Sequence, residues 1–252
     1  RAMEAGTNLA HASRTEEGGA TPPSSVARLL EARRLGVVPY GEALELQAEL
    51  VRRRRAGEIE DQLLLLEHPH VITLGTSAHE ENVLLGEEER RLLGIELFET
   101  GRGGDVTYHG PGQLVGYPIL DLKPDRCDVR RYVRDIEEAL ILALSRFGIE
   151  AGRIDGLTGV WVGDEKVAAI GVRVSSGWIT SHGFALNVTT NMGFFDSIVP
   201  CGIRDHGVTS LARLLEDPPT MDEVIAAVVD CFGSVFGRQV RFPEEAGPPR
   251  SA

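Results

Sequence analysis

Hydrophobic side chains recur at helical spacing in three stretches of the chain. Residues 41–55 place their apolar positions near one helical face and end in four arginines, which suit the C-terminal end of a helix dipole. Residues 129–147 repeat apolar positions at i, i+3 and i+4. Residues 221–236 follow Thr220 and Glu223, which stand at capping-box spacing. The pattern predicts three amphipathic helices.

Shorter apolar runs bounded by turn residues predict strands between these helices. Residues 62–75 read as two strands broken by the dipeptide at 68–69, and their four consecutive leucines indicate a strand covered on both faces. Residues 159–174 read as two strands joined by a turn at 163–165, and residues 179–188 as another. The predicted fold class is α/β or α+β, with a mixed β-sheet and flanking helices.

The two ends of the chain lack this periodicity. Residues 1–25 are rich in Ala, Gly, Ser, Thr, Glu and Pro, and we expect a disordered leader or a non-native remnant there. Residues 244–252 read as a flexible tail. With no internal repeat and no long linker between these ends, residues 26–243 are predicted to form a single domain.

Charge and composition restrict the partners and the compartment. A net charge of −12 argues against nucleic acid and anionic membranes as partners, because phosphate groups would be repelled. The sequence has no apolar run near the ~20 residues that span a bilayer and no secretory h-region. Three irregularly spaced cysteines without a C-x-x-C pair fit a reducing environment. We therefore expect a cytoplasmic protein.

The three cysteines differ in their surroundings. Cys231 falls in the apolar stripe of the last predicted helix, where a thiol acts as a small hydrophobe. Cys127 lies in a polar connection without an evident activating group. Cys201 is held between Pro200 and Gly202 in a turn that could present its thiol to a cleft. The residues alone leave an inert and a catalytic Cys201 both open.

The glycine-rich stretch at residues 101–118 brackets Arg102, Thr107, His109 and Gln113. Glycines let a backbone approach a ligand closely, so an extended ligand could bind here; a series of tight turns in a β-rich region is the alternative. The stretch matches neither a Walker loop nor a dinucleotide fingerprint.

Two further side chains are candidates for chemistry. Lys166 begins an apolar strand, where a lysine is either solvated or, beside a thiol, able to stabilise a thiolate or accept a proton. His182 is a possible accessory group of the same kind. The histidines at 68, 70 and 79 have no carboxylate or cysteine at matching spacing, so no metal site is predicted.

Four separated motifs, in order, resemble the lipoyl(octanoyl) transferases of lipoate biosynthesis. They are RGGDVTYHGPGQLVGYPI, GVWVGDEKVAAIGVRV, HGFALNV and VPCGI followed by VTSL. The resemblance runs from about residue 35 to about residue 236. It implies the fold shared with lipoate and biotin protein ligases, and octanoyl transfer from acyl carrier protein to a lysine of a lipoyl domain.

The resemblance also assigns site residues. It makes Cys201 the nucleophile that carries the acyl thioester and Lys166 its catalytic partner, with no metal and no cofactor. The positions that match the substrate-binding segments are Arg102, Gly103, Gly104, Asp105, Val106, Thr107, Tyr108 and His109 in the first, Ala169, Ile170 and Gly171 in the second, and Gly183, Phe184 and Ala185 in the third. Variety is expected at Asp105, so no base or charge role is predicted for it, and serine is common where Ala169 stands.

The implied donor is octanoyl-acyl carrier protein, and the implied acceptors are lipoyl domains of 2-oxoacid dehydrogenases and the glycine cleavage H protein. An octanoyl thioester can pass to a cysteine at little cost, because thioester replaces thioester, and amide formation then drives the reaction. Two alternatives remain open: an ATP-dependent lipoate or biotin protein ligase, and a non-catalytic module that binds an acyl group or a lipoyl domain.

Overall fold

A computed structural model describes residues 27–199 and 205–243. Its helices are α1 Tyr40–Arg55, α2 Glu87–Leu93, α3 Val129–Ser145, α4 Leu211–Leu214 and α5 Met221–Phe236. Its strands are β1 Arg28–Val37, β2 Asp61–Glu67, β3 Val71–Leu74, β4 Glu96–Glu99, β5 Val106–His109, β6 Gln113–Ile119, β7 Gly152–Ile154, β8 Leu157–Val162, β9 Glu165–Ser175, β10 Ile179–Asn187, β11 Gly207–Val208 and β12 Arg238–Arg241. The three predicted helices correspond to α1, α3 and α5.

A large mixed sheet runs in the order β12-β1-β2-β6-β10-β9-β8-β7, with β11 paired beside β9. The pairs β12–β1 and β1–β2 are parallel, whereas β2–β6, β6–β10, β10–β9 and β9–β8 are antiparallel. The run of leucines lies in β2, which is paired on both sides and whose first six residues are buried. The predicted mixed sheet with flanking helices is confirmed.

The leucine run shows how helices cover both faces of this sheet. Leu63 and Leu65 pack in one apolar cluster with α3 and α5, and Leu64 and Leu66 pack in another with α1. Side chains alternate across a strand, so consecutive leucines serve opposite faces. A run without alternation therefore marks a strand buried on both sides.

A smaller sheet, in the order β4-β3-β5, lies beside the large one. Strand β3 pairs parallel with β4 and antiparallel with β5. Its own apolar cluster contains Ile72, Tyr108 and Phe195. The strands β5 and β6 are joined by a turn at residues 110–112, so the glycine-rich stretch crosses from the small sheet to the large one.

Helix ends follow the sequence signals in part. Thr220 and Glu223 form the predicted capping box at the start of α5. Val129, expected on the apolar face of α3, is 44% exposed instead.

No helix among the described residues is long and apolar enough to cross a membrane.

A buried carboxylate joins the terminal strands to the rest of the sheet. Asp61 at the start of β2 accepts hydrogen bonds from Arg54 at 2.8 Å and Arg238 at 2.8 Å, and lies 3.5 Å from Arg28. One acidic side chain thus connects α1, β1, β2 and β12. Strands β1 and β12 carry many charged residues, and no strand was predicted for them.

Candidate active site

A cavity of about 780 Å³ opens beside β9 and β10. The loop before β5, residues 77–82 and the first turns of α3 complete its walls. The predicted site residues that line it are Arg102, Gly103, Gly104, Asp105, Thr107, His109, Lys166, Ala169, Ile170, Gly171, His182, Gly183, Phe184 and Ala185. Three motifs that are far apart in the sequence therefore meet at one cavity.

Strand register brings two of these motifs directly opposite each other. In the antiparallel pair β9–β10, Ala169 faces Ala185, and Gly171 faces Gly183. Opposite residues of such a pair share one face of the sheet. The small side chains of Ala169 and Ala185 leave room along the wall for a ligand, whereas the backbone oxygens of Gly103 and Gly116 occupy the space that a side chain at Gly171 or Gly183 would need.

Arg102 organises the glycine-rich loop. The residue is only 7% exposed. Its guanidinium donates to the backbone oxygens of Thr73 at 2.8 Å, Asp105 at 2.9 Å and Gly103 at 2.9 Å. A Cβ at Gly171 would lie 2.8 Å from the oxygen of Gly103, so a larger residue there would displace the loop. The loop is thus packed directly on β9.

Alternation along β5 divides the first predicted segment. Thr107 and His109 face the cavity, whereas Val106 and Tyr108 point into the apolar cluster of the small sheet. Tyr108 also hydrogen-bonds through its hydroxyl to Nδ1 of His70 at 2.7 Å. The structure therefore places Val106 and Tyr108 behind the cavity wall, because successive residues of a strand face opposite sides.

Asp105 has a role that was not predicted. Its buried carboxylate accepts from the side-chain amide of Asn82 at 2.6 Å and from the backbone N–H of His79 at 2.9 Å. Asn82 lines the cavity, and its backbone oxygen accepts from the N–H of Val199 at 2.8 Å. The Asp105 carboxylate therefore fixes the residue to which Val199 is bonded.

Cys201 lies outside the described residues, but both flanks of its segment are described. Val199 is bonded to Asn82, and after the segment β11 pairs in parallel with the start of β9, where Val208 stands opposite Lys166. The N–H of Thr209 donates to the backbone oxygen of Lys166 at 2.9 Å. Both flanks are thus attached to residues that line the cavity.

Lys166 is a buried lysine at this end of the cavity. It is 7% exposed, and its Nζ lies 4.9 Å from the centre of the Trp161 ring. Lys123, the chain's other lysine, is exposed. The arrangement excludes the solvated alternative for Lys166.

The other end of the cavity contains neutral histidines. Burial lowers the pKa of His109 to about 3, and the nearby His68 lowers it further. Because the Gln113 side-chain oxygen can only accept, Nδ1 of His109 donates to it at 2.7 Å and Nε2 remains unprotonated. Burial likewise lowers the pKa of His182 to about 4, with Arg102 and Arg173 contributing.

His182 also has an unusual backbone. Its φ of 57° lies in the left-handed region, which is costly for a residue other than glycine. Its backbone N–H donates to Gln47 at 2.7 Å, and its buried Nδ1 has no partner within residues 27–199 and 205–243. This strained residue is thus held between α1 and the cavity.

Neither of the two described cysteines is placed as a nucleophile of this cavity would be. Cys231 is buried on α5, and desolvation raises the pKa of its thiol. Cys127 is exposed in the connection before α3 and does not line the cavity. In the part of the chain that the structure describes, no group of three or more His, Cys, Asp or Glu side chains could hold a metal ion.

Several residues at the site were missed from the sequence, among them Tyr40, Asn82 and Trp161. Tyr40 and Asn82 line the cavity, and Trp161 lies behind Lys166. Tyr40 directly precedes a predicted helix and Trp161 lies in a predicted strand, but nothing in their spacing distinguishes them from core aromatics. Their importance arises from tertiary contacts only.

The fold and this cavity define the class of the chain. The lipoyl protein ligase A/B catalytic domain matches residues 39–233. A lipoate-protein ligase A bound with ATP superposes with a TM-score of 0.65 at 16% identity, covering 87% of this chain and 89% of that one. A lipoate protein ligase from Thermoplasma acidophilum, described with its E2 lipoyl domain, gives a TM-score of 0.63 at 18% identity, covering 86% and 87%. These two likenesses concern the fold alone.

More similar relatives specify the family. An octanoyltransferase from Solibacter usitatus is 59% identical over 204 residues, covering 81% of this chain and 91% of that protein. An octanoyltransferase from Rubrobacter xylanophilus is 56% identical over 210 residues, covering 82% and 94%. The chain belongs to the octanoyltransferase family.

Proposed function

We propose that the protein transfers an octanoyl group from octanoyl-acyl carrier protein to a lysine of a lipoyl domain, through a thioester on Cys201. Membership of the octanoyltransferase family makes it an acyltransferase of lipoate biosynthesis. To this the proposal adds the carrier-bound donor, the acceptors and the covalent intermediate.

One observation carries the assignment of Cys201. The segment that contains it is bonded on one flank to Asn82 and on the other to Lys166, and both of these residues line the cavity. This supports a thiol presented to the cavity beside Lys166.

The chemistry divides into two transfers. In the first, the Cys201 thiolate attacks the octanoyl thioester, a new C–S bond forms, and the carrier leaves as a thiol after taking up a proton. In the second, the acceptor lysine nitrogen attacks the enzyme thioester, the C–S bond breaks, and an amide forms. In the first step Lys166, as the ammonium, stabilises the thiolate and gives its proton to the departing carrier sulfur. As the neutral amine it then accepts the proton of the incoming lysine in the second step, which restores the ammonium and the thiolate.

The cavity wall suits the acyl chain. The small side chains of Ala169 and Ala185 leave an open strip along the sheet, and burying the chain contributes about 0.8 kcal/mol per methylene. The strip extends from Lys166 toward His182, so the thioester carbon would lie at the Lys166 end and the methyl end would point toward the neutral histidines.

A lipoyl domain as acceptor is supported by the Thermoplasma acidophilum ligase of the same fold, which is described with its E2 lipoyl domain. We propose lipoyl domains of 2-oxoacid dehydrogenases and the glycine cleavage H protein as acceptors. A single catalytic domain over residues 26–243, a cytoplasmic location, and the absence of nucleic-acid, membrane and cofactor partners stay predictions from the sequence.

The test is a transfer assay without ATP. Purified full chain, octanoyl-acyl carrier protein and an unmodified lipoyl domain should yield a lipoyl domain heavier by one octanoyl group, measured by mass spectrometry. Cys201→Ser should abolish this product, and the matched variant Cys127→Ser should retain it.

Two outcomes would contradict the proposal. Product formed only from free octanoate with ATP would identify an ATP-dependent ligase. Binding of the carrier or the lipoyl domain without any transfer would identify a non-catalytic module.

A further inference from the structure

Strand pairing is irregular beside Lys166. Val160 of β8 stands opposite Ala168, but the next pair is Trp161 with Lys166, so Val167 is an extra residue on β9. In an unbroken register Trp161 would stand opposite Val167, on the other face of the sheet from Lys166. The bulge therefore brings Trp161 onto the face of Lys166, and bulges of this kind are frequent beside active sites.

The bulge creates a contact between a charge and an aromatic face. Nζ of Lys166 lies 4.9 Å from the centre of the Trp161 ring, within the range of a cation–π interaction. Lys166 is 7% exposed and Trp161 is 2% exposed. An indole is the best aromatic partner for a cation, and exclusion of water strengthens the attraction. The contact thus holds the amino group of a buried lysine against the face of a buried aromatic ring.

Trp161 serves through its ring rather than through its N–H. The indole nitrogen is buried without a hydrogen-bond partner among the described residues, which is a cost that phenylalanine or leucine would not carry. The ring of His206, which follows the Cys201 segment, packs edge-on against the indole at 5.3 Å. Trp161 therefore touches Lys166 and the flank of the segment that holds the thiol.

The surroundings leave a defined path for the lysine side chain. A Cβ at Gly159 would lie 3.3 Å from Cε of Lys166, so the glycine makes room for it. The carboxylate of Glu137 on α3 accepts from the N–H of Gly159 at 3.1 Å and pairs with Arg153 at 2.8 Å. The other ionisable groups on neighbouring elements are Asp105 and His79 in the cavity wall, Asp164 and Glu165 in the preceding turn, and Asp205 and His206 before β11.

We propose that Trp161 is a positioning residue, which holds the side chain of Lys166 in the place from which it acts on the thiol of Cys201. The proposal rests on the roles proposed above for those two residues. Loss of the indole face would free the Lys166 amino group to move, and the thiolate would lose its stabilising charge.

The test measures the rate at which iodoacetamide modifies Cys201 as a function of pH, followed on the Cys201 peptide by mass spectrometry. Trp161→Leu should move the midpoint of this profile upward by about one pH unit, and Trp161→Phe, which keeps a weaker aromatic face, by about half as much. In octanoyl transfer at neutral pH, Trp161→Leu should lower kcat about tenfold and leave KM for the carrier unchanged.

Two controls separate this role from a structural one. Phe232→Leu removes a buried ring of α5, far from the cavity wall, and should leave the midpoint in place. In a Lys166→Ala background, Trp161→Leu should cause no additional shift, because the indole acts through the lysine.

An unchanged midpoint in Trp161→Leu and Trp161→Phe would overturn the proposal, and so would a shift that persists without Lys166. If Trp161→Leu does not fold, the profile of Trp161→Phe decides. Failure of the proposed function is seen separately, since the wild-type protein would then form no octanoyl adduct on Cys201.

Discussion

The two ends of the cavity treat a buried basic side chain in opposite ways. At one end Lys166 lies against the face of Trp161, and at the other His182 lies near Arg102 and Arg173. His182 stands opposite Val172, six residues beyond Lys166 on β9, so the ends are roughly 20 Å apart. Both side chains are largely buried.

Burial penalises a charge at both ends, but the groups that surround the two side chains differ. An aromatic face attracts a cation, whereas two guanidinium groups repel one and help to lower the pKa of His182 to about 4. The His182 end therefore offers an uncharged imidazole, whereas an aromatic ring holds the amino group at the Lys166 end. Under the proposed function, this contrast would orient an octanoyl thioester with its reactive carbon toward Lys166.

The largest effect on activity is expected from a substitution at the Lys166 end of the cavity. Lys166→Ala should lower kcat/KM for octanoyl transfer by about 10²–10⁴, the range of a general acid–base group, because the thiolate and the acceptor amine both lose their partner. Steady-state kinetics with octanoyl-acyl carrier protein measure this. Lys123→Ala, the matched change at the exposed lysine, should retain wild-type kinetics. Equal activity of the two variants would remove Lys166 from the mechanism.

A smaller effect is expected from the strip between the two ends. Shortening the donor from octanoyl to hexanoyl should lower kcat/KM about tenfold in the wild type, because two methylenes lose their burial. Ala169→Leu fills the strip beside Ala185 and should reverse this preference. Competition between the two carrier-bound donors, read by mass spectrometry of the lipoyl domain, gives the ratio directly. An unaltered ratio would show that the acyl chain does not lie along β9.

The neutral histidines should affect how the free energy of unfolding depends on pH. His68, His109 and His182 have folded pKa values of about 4, 3 and 4, below the ordinary 6.5. All three are neutral in both states well above pH 6.5, and as the pH falls through 6.5 only the unfolded chain takes up protons. The free energy of unfolding should therefore fall by about 3 kcal/mol between pH 6.5 and 5.5, measured by urea denaturation.

One variant isolates part of this contribution. His109→Gln should reduce the slope by about one third. The carboxyl groups with lowered pKa, Glu49 and Glu223, titrate below the measured window. A slope insensitive to His109→Gln would indicate that this imidazole is accessible to protons in the folded state.

Elements with strong local patterns were predictable from the sequence. The heptad-like stripe of α3, the capping box of α5 and the unbroken leucines of β2 each reflect one dominant contact surface. The strands β1 and β12 were not predictable, since their charged residues hide any alternation and they pair across nearly the whole length of the chain. Val129 was assigned to the core, but its helix begins at the cavity mouth.

The parts of the site that lie in continuous sequence motifs were predictable, but the parts that depend on how the strands pair were not. Ala169 to Gly171 and Gly183 to Ala185 were identified as separate segments, and the structure places them opposite each other. Trp161 depends on a bulge and Asn82 on a hydrogen bond that it donates to Asp105, and neither feature leaves a local trace in the sequence.

The central claim is that Cys201 carries the octanoyl group, and acyl mapping tests it most directly. The full chain is mixed with octanoyl-acyl carrier protein without any acceptor, quenched, digested and analysed by mass spectrometry. One octanoyl adduct is expected, on the peptide that contains Cys201, and it should disappear when a lipoyl domain is added. An adduct on Cys127 or Cys231, or transfer that proceeds in Cys201→Ser, would contradict it.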